Sequence, residues 1–290
     1  MPLFTGVVPP VVTPLHSDFS VDFLSFTRTI ENLLDGGVHG LFVLGSTSEV
    51  VFHGEAGRRA IIEHAVKVNN GRVPIFAGVI DPTTDRVINH ALTARSAGAD
   101  AVVVTAPFYT RTSQPEIGDH FRYIKDAVDI PIIAYDIPVC VHVKLERRTT
   151  VGLASEGVIA GIKDSSGDDG NLRYVLKDMA NDRSFFGMTG SEILVDSVLA
   201  MGAHGVVPGL ANVDPHGYVR LWNLMQAGQH AEARLEQERL LKLFEIVWIS
   251  LGRTSAGSAG VGFTNGSMVA TVVLLRPSML LNASLFSQMP

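Results

Sequence analysis

The segment Val158-Ile159-Ala160-Gly161-Ile162-Lys163 is a short apolar run that ends in one basic residue. An apolar run of this length, bounded by turn-forming residues and followed by a longer stretch with helical spacing, predicts a buried strand of a parallel sheet. The same pattern recurs through the first three quarters of the chain. In order, the predicted strands are residues 6–12, 40–44, 74–79, 101–105, 131–136, 158–163, 185–189 and 205–207.

The spacing of these strands predicts how they assemble. They begin roughly 20 to 34 residues apart, which suits the strand-helix units of a (β/α)₈ barrel of about 250 residues. A doubly wound sheet is the alternative, but it needs a glycine-rich phosphate turn after its first strand, where residues 11–14 read Val-Val-Thr-Pro. We therefore predict an α/β fold of the TIM barrel class that binds neither dinucleotides nor nucleoside triphosphates.

The helical segments predict a barrel followed by a helical appendage. Ser20 or Asp22 is expected to begin the first helix, and Gly36-Gly37 to end it. Residues 215–227 are predicted to form the last barrel helix. A long helix is then expected over 231–251, followed by a Gly/Ser-rich stretch, 252–266, and a last apolar helix over 266–281. The predicted domains are a catalytic barrel, 1–227, and a C-terminal helical region, 228–290.

Composition limits the partners of the chain. With 290 residues, a net charge of −6 and no basic block longer than a pair, the sequence argues against a nucleic-acid groove. The longest mainly apolar run, 268–275, is too short to cross a membrane. A mean hydropathy of +0.25 predicts a homo-oligomer that covers apolar surface. One cysteine, Cys140, and no visible export signal predict a cytoplasmic protein.

Lys163 is the most informative reactive residue because it alone among the lysines ends an apolar strand. Active sites of TIM barrels lie at the carboxyl ends of the strands. Burial there lowers the pKa of an amine and leaves it neutral, as attack on a carbonyl requires. The alternative is a structural ion pair with Asp164 or another carboxylate. The other lysines are expected to be solvated: Lys67, Lys125, Lys144, Lys177 and Lys242.

Two further groups are expected near this lysine. Tyr135 ends the neighbouring predicted strand, and its phenol is suited to moving protons, although a buried tyrosine of the core is the alternative. The run Gly45-Ser46-Thr47-Ser48-Glu49 follows the second strand and offers consecutive backbone N–H groups for a carboxylate, or else forms an ordinary turn. No zinc motif, serine-hydrolase elbow or cofactor motif is present, so neither a metal nor a cofactor is predicted.

Five motifs together resemble one known family in order and spacing: residues 45–49, 107–109, 135–138, 161–167 and 205–207. The chain is similar to the dihydrodipicolinate synthase / N-acetylneuraminate lyase family over residues 1–225. The resemblance implies a class I aldolase with a TIM barrel fold that binds pyruvate or another 2-oxo acid as an imine on Lys163. It also implies a homotetramer built as a dimer of dimers.

The resemblance assigns roles to further positions. It implies that Tyr135 is the acid and base, that Ser46 relays protons, and that Tyr109 of a neighbouring subunit completes the relay. The backbone N–H groups of Ser46 and Thr47 would hold the carboxylate of the 2-oxo acid. The carbonyl of Val207 would line the other side of the pocket.

Three positions depart from the family pattern. Ser48 replaces a glycine of the loop, and His142 replaces another glycine near the acceptor pocket, where it either faces the substrate or lies on a loop surface. Synthases of the family carry an arginine two residues after the proline of the Tyr-x-x-Pro motif, and this chain has Cys140 there. Without a guanidinium fork, recognition of a carboxylate on the aldehyde is weakened.

We therefore expect a Schiff-base lyase that makes or breaks a carbon–carbon bond between pyruvate and an aldehyde, with a 2-oxo-3-deoxy sugar acid as the type of substrate. Dihydrodipicolinate synthase activity, with pyruvate and aspartate semialdehyde, is one alternative. A Schiff-base dehydratase or hydratase is another. A barrel retained as a small-molecule sensor is the non-enzymatic alternative, which Lys163, Tyr135 and Tyr109 argue against.

Overall fold

The computed structural model describes the backbone of residues 3–254 and the side chains of residues 3–245. Eight parallel strands form one sheet in the order β1-β8-β7-β6-β5-β4-β3-β2. The strands are β1 (Gly6–Val7), β2 (Leu41–Val43), β3 (Ile75–Gly78), β4 (Ala101–Thr105), β5 (Ile132–Asp136), β6 (Gly161–Asp164), β7 (Phe186–Thr189) and β8 (Gly205–Val206). The predicted TIM barrel class is confirmed.

The sheet closes between its first two strands. Pro10 forms a parallel bridge with Phe42. The Phe42 N–H donates to the carbonyl of Pro9 over 3.0 Å, and the Val11 N–H donates to the carbonyl of Phe42 over 2.8 Å. Closure leaves no open edge and gathers the carboxyl ends of all eight strands around one mouth.

Two predicted strands were too long. The first was expected over 6–12 but ends at Val7, because Pro9 and Pro10 have no N–H to donate to a sheet. The sixth was expected from residue 158 but begins at Gly161. The Val158 N–H instead donates to the carbonyl of Leu153 at the end of the preceding helix. The apolar run that begins at residue 158 therefore contains both the end of that helix and the start of the strand. The remaining strand bounds differ from expectation by one residue at one or both ends, and β4 matches.

Helices follow the strands around the barrel. They are α1 (Phe23–Asp35), α2 (Glu55–Asn69), α3 (Thr84–Ser96), α4 (Gln114–Ala127), α5 (Pro138–Val141), α6 (Arg147–Ser155), α7 (Asp169–Asp178), α8 (Val195–Ala200), α9 (Pro215–Gln226) and α10 (His230–Thr254). Asp22, rather than Ser20, caps α1 and accepts from the Ser25 N–H over 3.0 Å. None of the described helices combines the length and the apolar character needed to cross a membrane.

The C-terminal helix α10 is longer than expected. It begins at His230, one residue before the predicted start, and continues to Thr254, into the stretch predicted as Gly/Ser-rich. The rest of that stretch and the helix predicted over 266–281 lie outside the described residues. The division into domains at residue 227 remains a prediction.

Candidate active site

The register of two neighbouring strands sets the centre of the site. Strands β5 and β6 place Tyr135 beside Lys163 and Asp136 beside Asp164. Successive side chains of a strand point to opposite faces, so we call Tyr135 and Lys163 the inner pair and Asp136 and Asp164 the outer pair. The inner pair faces the barrel interior, because both of its side chains contact the ring of Phe42 on β2.

Lys163 is buried at the end of β6, with 5% of its surface exposed. Its Nζ lies 3.5 Å from the centre of the Tyr135 ring and 2.9 Å from the hydroxyl of Ser165. Among the described residues no carboxylate oxygen lies within ion-pair distance of this amine, so the alternative ion pair with Asp164 is absent. Burial lowers the pKa of Lys163 to about 7, although electrostatic interactions with Asp164, Cys140 and Glu192 oppose this effect.

Tyr135 is equally buried and remains protonated at neutral pH. Burial raises the pKa of its phenol to about 12, while hydrogen bonds with the hydroxyls of Ser46 and Ser165 act in the opposite direction. Its ring meets Phe42 edge to face, with centroids 6.3 Å apart. The predicted partnership of an amine and a phenol therefore exists in the fold, and the phenol is linked to two serine hydroxyls.

The loop after β2 is held by the residue that departs from the family pattern. The buried Ser48 hydroxyl donates to the carbonyl of Val11 over 2.5 Å and accepts from the Gly45 N–H over 3.2 Å. Ser48 thus ties the loop to the segment that follows β1. In the described part of the chain, the N–H groups of Ser46 and Thr47 donate to no other group, which leaves two adjacent donors beside the inner pair.

A cavity of about 320 Å³ opens beside Ser46. Cys140 and His142, from α5 and the residue that ends it, form part of its wall. The Cys140 thiol is hydrogen-bonded with Ser46, and burial raises the pKa of this thiol. His142 is exposed, with a left-handed backbone at φ 59°. The remaining lining residues are Glu49, Val50, Val51, Phe52, Ile80, Thr105, Phe108, Ile137, Val139 and Val141.

Tyr109 and Val207 occupy different positions relative to this centre. The Tyr109 side chain is 94% exposed on a left-handed backbone at φ 76°, and therefore does not complete the site of its own chain. Val207 is buried directly after β8, where its N–H donates to the carbonyl of Thr189 over 2.8 Å. Val207 thus lies at the carboxyl end of β8.

The outer pair belongs to an ionic network that sequence reasoning missed. Lys144 was expected to be solvated, but only 28% of its side chain is exposed and its Nζ lies 2.5 Å from the fully buried carboxylate of Asp136. The same amine donates to the Ser166 hydroxyl over 2.8 Å, and Ser166 donates to Asp164 over 2.7 Å. The expectation failed because the partner of Lys144 comes from a strand eight residues earlier, which local composition does not reveal.

Two other residues near Lys163 were not singled out in the sequence. Ser165 lies in the motif around Lys163, and its position two residues later is the signal for sharing a face with the lysine. Glu192 follows β7, and its carboxylate accepts from the Leu210 N–H over 2.8 Å and from the Tyr218 hydroxyl over 2.9 Å. Burial raises the pKa of Glu192. No sequence signal identifies Glu192, because both of its partners lie beyond β8.

Metal-binding side chains do not assemble in the described residues. Within the side chains described, no three His, Cys, Asp or Glu residues form a group that could hold a metal ion. The reactive groups at the barrel mouth are instead an amine, a phenol, hydroxyls and a thiol. A (β/α)₈ barrel with a buried lysine and tyrosine at the carboxyl ends of adjacent strands is the architecture of an enzyme that works through an amine nucleophile.

Comparison with known proteins identifies the family. Residues 3–255 match the model of the dihydrodipicolinate synthetase family, and the chain belongs to that family. This confirms the resemblance found in the sequence and the predicted enzyme class, a Schiff-base lyase. The match covers all eight strands and ends one residue after α10.

Relatives with different activities are similarly distant from this chain. A 4-hydroxy-tetrahydrodipicolinate synthase of Phenylobacterium zucineum is 32% identical over 247 residues, covering 85% of this chain and 83% of the relative. A protein of Escherichia coli described as a probable 2-dehydro-3-deoxy-D-pentonate aldolase is 30% identical over 268 residues, covering 90% and 89%. The structure of dihydrodipicolinate synthase from Bacteroides thetaiotaomicron superimposes with a TM-score of 0.85 at 29% identity, covering 95% and 90%. Overall similarity therefore does not distinguish between these substrates, and the substrate has to be inferred from the residues of the site.

Proposed function

We propose that this chain is a lyase that forms an imine between Lys163 and a 2-oxo acid, pyruvate in the simplest case, and makes or breaks a carbon–carbon bond to an uncharged aldehyde. A 2-oxo-3-deoxy sugar acid is the type of substrate that we favour. The observation that carries the proposal is the buried amine of Lys163, which lies 3.5 Å from the ring of Tyr135 and has a pKa of about 7.

The chemistry begins with a neutral amine. A pKa of about 7 makes the neutral form of Lys163 accessible at neutral pH, whereas an ordinary lysine is almost fully charged. The neutral Nζ attacks C2 of the 2-oxo acid, and loss of the former carbonyl oxygen as water gives the iminium. Its positive nitrogen then accepts the electron pair released when the C3 proton leaves or when the C3–C4 bond breaks. The resulting enamine is the nucleophile in the reverse direction.

Tyr135 and the loop after β2 provide the other parts of the reaction. A phenol with a pKa near 12 is a proton donor at neutral pH, and its bond to Ser46 connects it to a second hydroxyl. The unused N–H groups of Ser46 and Thr47 are suited to the carboxylate of the 2-oxo acid, because adjacent backbone donors bind anions. The carbonyl of Val207 lines the other side of the pocket in our proposal.

Cys140 supports an uncharged acceptor. This thiol lines the cavity beside Ser46, and the described lining residues include neither arginine nor lysine. A desolvated carboxylate on the acceptor would find His142 as the nearest basic side chain on this wall. Leaving such a carboxylate unpaired costs several kcal/mol, which disfavours aspartate semialdehyde. His142 and Cys140 are instead suited to the hydroxyl or carbonyl of a neutral aldehyde.

The imine is tested by trapping. Borohydride added with pyruvate is expected to attach a reduced pyruvyl group to the peptide that contains Lys163, detected by mass measurement. A label on another lysine, or no label with any 2-oxo acid, overturns the proposal. Omission of the 2-oxo acid is the control for nonspecific modification.

The acceptor is tested by comparing the kcat/KM values of different aldehydes in reaction with pyruvate. Aspartate semialdehyde is expected to give a kcat/KM about 10²-fold below that of the best polyhydroxy or aryl aldehyde. The Cys140→Arg variant is expected to narrow this ratio by restoring a cation. If aspartate semialdehyde exceeds every neutral aldehyde with the unaltered protein, the synthase alternative replaces our proposal.

We also propose that the active form is a homotetramer built from dimers, in which the partner subunit's Tyr109 enters each site. The exposure of Tyr109 and the apolar, exposed side chains of Val51 and Phe52 at the cavity rim support a second copy at this surface. Sedimentation at working concentrations is expected to show an oligomer. A fully active monomer of 31.1 kDa would contradict it.

Mixing two inactive variants tests whether Tyr109 acts across subunits. Lys163→Ala lacks the nucleophile, and Tyr109→Phe lacks the phenol that it would supply to its partner. A refolded equal mixture is expected to recover about a quarter of the normal sites, because half of the dimers are mixed and each has one complete site. No recovery would place Tyr109 outside the neighbouring site.

Cytoplasmic location remains a proposal that depends on the single cysteine.

A further inference from the structure

The Ser165 hydroxyl touches both members of the inner pair. It accepts from Lys163 Nζ over 2.9 Å, and its interaction with the Tyr135 phenol lowers the pKa of that phenol. The Ser165 N–H donates to the carbonyl of Asp136 over 2.8 Å, which fixes the backbone at this point. Among the described residues, Ser165 is the single hydrogen-bond partner of the Lys163 amine. One hydroxyl therefore bridges the amine and the phenol.

The neighbouring strand leaves room for this hydroxyl and little else. A Cβ at Gly190, directly after β7, would lie 2.0 Å from the Ser165 hydroxyl and 3.1 Å from its Cβ. The backbone of Gly190 does not require glycine, since its φ lies outside the left-handed region. Its N–H donates to the carbonyl of Asp164 over 2.7 Å, which draws the two strand ends together. The missing side chain at Gly190 is thus explained by the space that Ser165 occupies.

We propose that Ser165 carries a proton between Lys163 and Tyr135 while the imine forms, an inference that rests on the function proposed above. Attack of the neutral amine on C2 leaves an extra proton on Nζ and a negative charge on the former carbonyl oxygen. The Nζ proton passes to the Ser165 oxygen, the Ser165 proton passes to the Tyr135 oxygen, and the Tyr135 proton passes to the C2 oxygen. Serine and tyrosine end unchanged, and the substrate has become the neutral carbinolamine. A second proton, taken from solvent, then reaches this oxygen, and water leaves as the nitrogen lone pair forms the C=N bond of the iminium.

The relay gives Ser165 a role that the geometry of Ser46 does not supply. Ser46 is bonded to Tyr135 and to Cys140, on the side of the cavity, whereas Ser165 is bonded to the amine itself. Loss of Ser165 therefore interrupts the direct path from Nζ while leaving the second hydroxyl on Tyr135 in place. We expect a specific defect in imine formation, with little change in the binding of the 2-oxo acid.

The first experiment compares three variants in rapid-quench trapping with pyruvate and borohydride. Ser165→Ala is expected to slow imine formation by about 10²-fold with little change in the pyruvate concentration at half saturation. Ser165→Thr keeps a hydroxyl and is expected to recover most of the rate. Ser166→Ala removes the neighbouring hydroxyl, which bonds to Asp164 and Lys144, and is expected to remain within about 2-fold of the unaltered protein.

A solvent isotope measurement separates proton transfer from simple support of the fold. The unaltered protein is expected to show a deuterium effect on the trapping rate that depends on more than one proton. In Ser165→Ala this dependence is expected to become weaker. An unchanged trapping rate and isotope effect in Ser165→Ala would overturn the relay while Lys163 labelling, and with it the proposed function, still stands. Absence of labelling in the unaltered protein would instead defeat the proposed function.

Gly190 provides an independent test. Gly190→Ala is expected to slow trapping because the new methyl group displaces the Ser165 hydroxyl. In a Ser165→Ala background the same change is expected to add little, so the two effects should not multiply. Circular dichroism checks that each variant is folded. Multiplicative effects in folded proteins would show that Gly190 acts apart from the hydroxyl and would overturn this part of the inference.

Discussion

Two lysines close to the same pair of strands have opposite environments. Lys163 belongs to the inner pair, is almost fully buried and has no carboxylate within ion-pair distance among the described residues. Lys144 lies on the outer side, is partly exposed and holds the buried carboxylate of Asp136. The amines differ in surroundings because β5 and β6 direct successive residues to opposite faces.

The two faces of β5 and β6 thus keep a buried, uncharged amine on the inner side and charged carboxylates on the outer side, only one residue away in sequence. Asp136 and Asp164 are neighbours of Tyr135 and Lys163 in sequence, yet Asp136 bonds to Lys144 and Asp164 bonds to Ser166 on the outer side. The inner amine is left with a hydroxyl and two aromatic rings. A shift in register by one residue would exchange the two faces and place carboxylates beside the nucleophile.

The largest expected effect follows from removing each lysine in turn. Lys163→Ala is expected to lower turnover by about 10⁴-fold or more and to abolish trapping with pyruvate, because the nucleophile is gone. Lys144→Ala is expected to retain labelling at Lys163. Trapping and steady-state rates measure both. Equal losses of labelling in the two variants would erase the functional distinction between the faces.

The buried amine is expected to cost stability in a pH-dependent way. The pKa of Lys163 is about 7 in the fold and 10.5 in an exposed lysine, so the folded state pays a penalty below pH 7 that disappears as the pH rises toward 10.5. The free energy of unfolding of Lys163→Met is therefore expected to exceed that of the unaltered protein by roughly 3 kcal/mol at pH 6 and by much less at pH 10. Urea unfolding at both values tests this. A pH-independent difference would argue against a buried, neutral amine.

Tyr135 tests the other member of the inner pair. Tyr135→Phe keeps the ring against Phe42 and removes the hydroxyl, so the fold and pyruvate binding are expected to persist while turnover falls about 10²-fold. Steady-state rates and binding of pyruvate separate the two properties. An unchanged rate would reassign Tyr135 to the core of the barrel.

The outer pair gives the smallest effect, and it concerns stability. Lys144→Met leaves the carboxylate of Asp136 buried without its cation and is expected to lower the free energy of unfolding by about 2 kcal/mol at pH 7. Lys67→Met, at an exposed position of α2, is the matched control. Adding Asp136→Asn to Lys144→Met is expected to recover part of the loss. If Lys144→Met is as stable as the control, the ion pair between Lys144 and Asp136 contributes nothing measurable to the free energy of unfolding.

Much of the fold was accessible from sequence because the barrel repeats one local pattern. Apolar runs identified all eight strands, and Lys163 stood out because no other lysine ends such a run. The bounds failed where two elements share one apolar stretch, as at Val158, or where proline interrupts pairing, as at Pro9. Local apolar patterns indicate which residues are buried, but they do not indicate the residue at which hydrogen bonding between strands begins.

The amino-acid sequence was sufficient to predict the eight-stranded barrel, the family and the position of Lys163 at the carboxyl end of a strand. Which groups meet at that strand end depends on the three-dimensional fold. The pairing of Lys144 with Asp136, the bridging hydroxyl of Ser165 and the space at Gly190 all depend on contacts between different strands or loops. The physical reason is that periodicity fixes the face on which a side chain lies, whereas sheet register and closure fix its neighbours across that face.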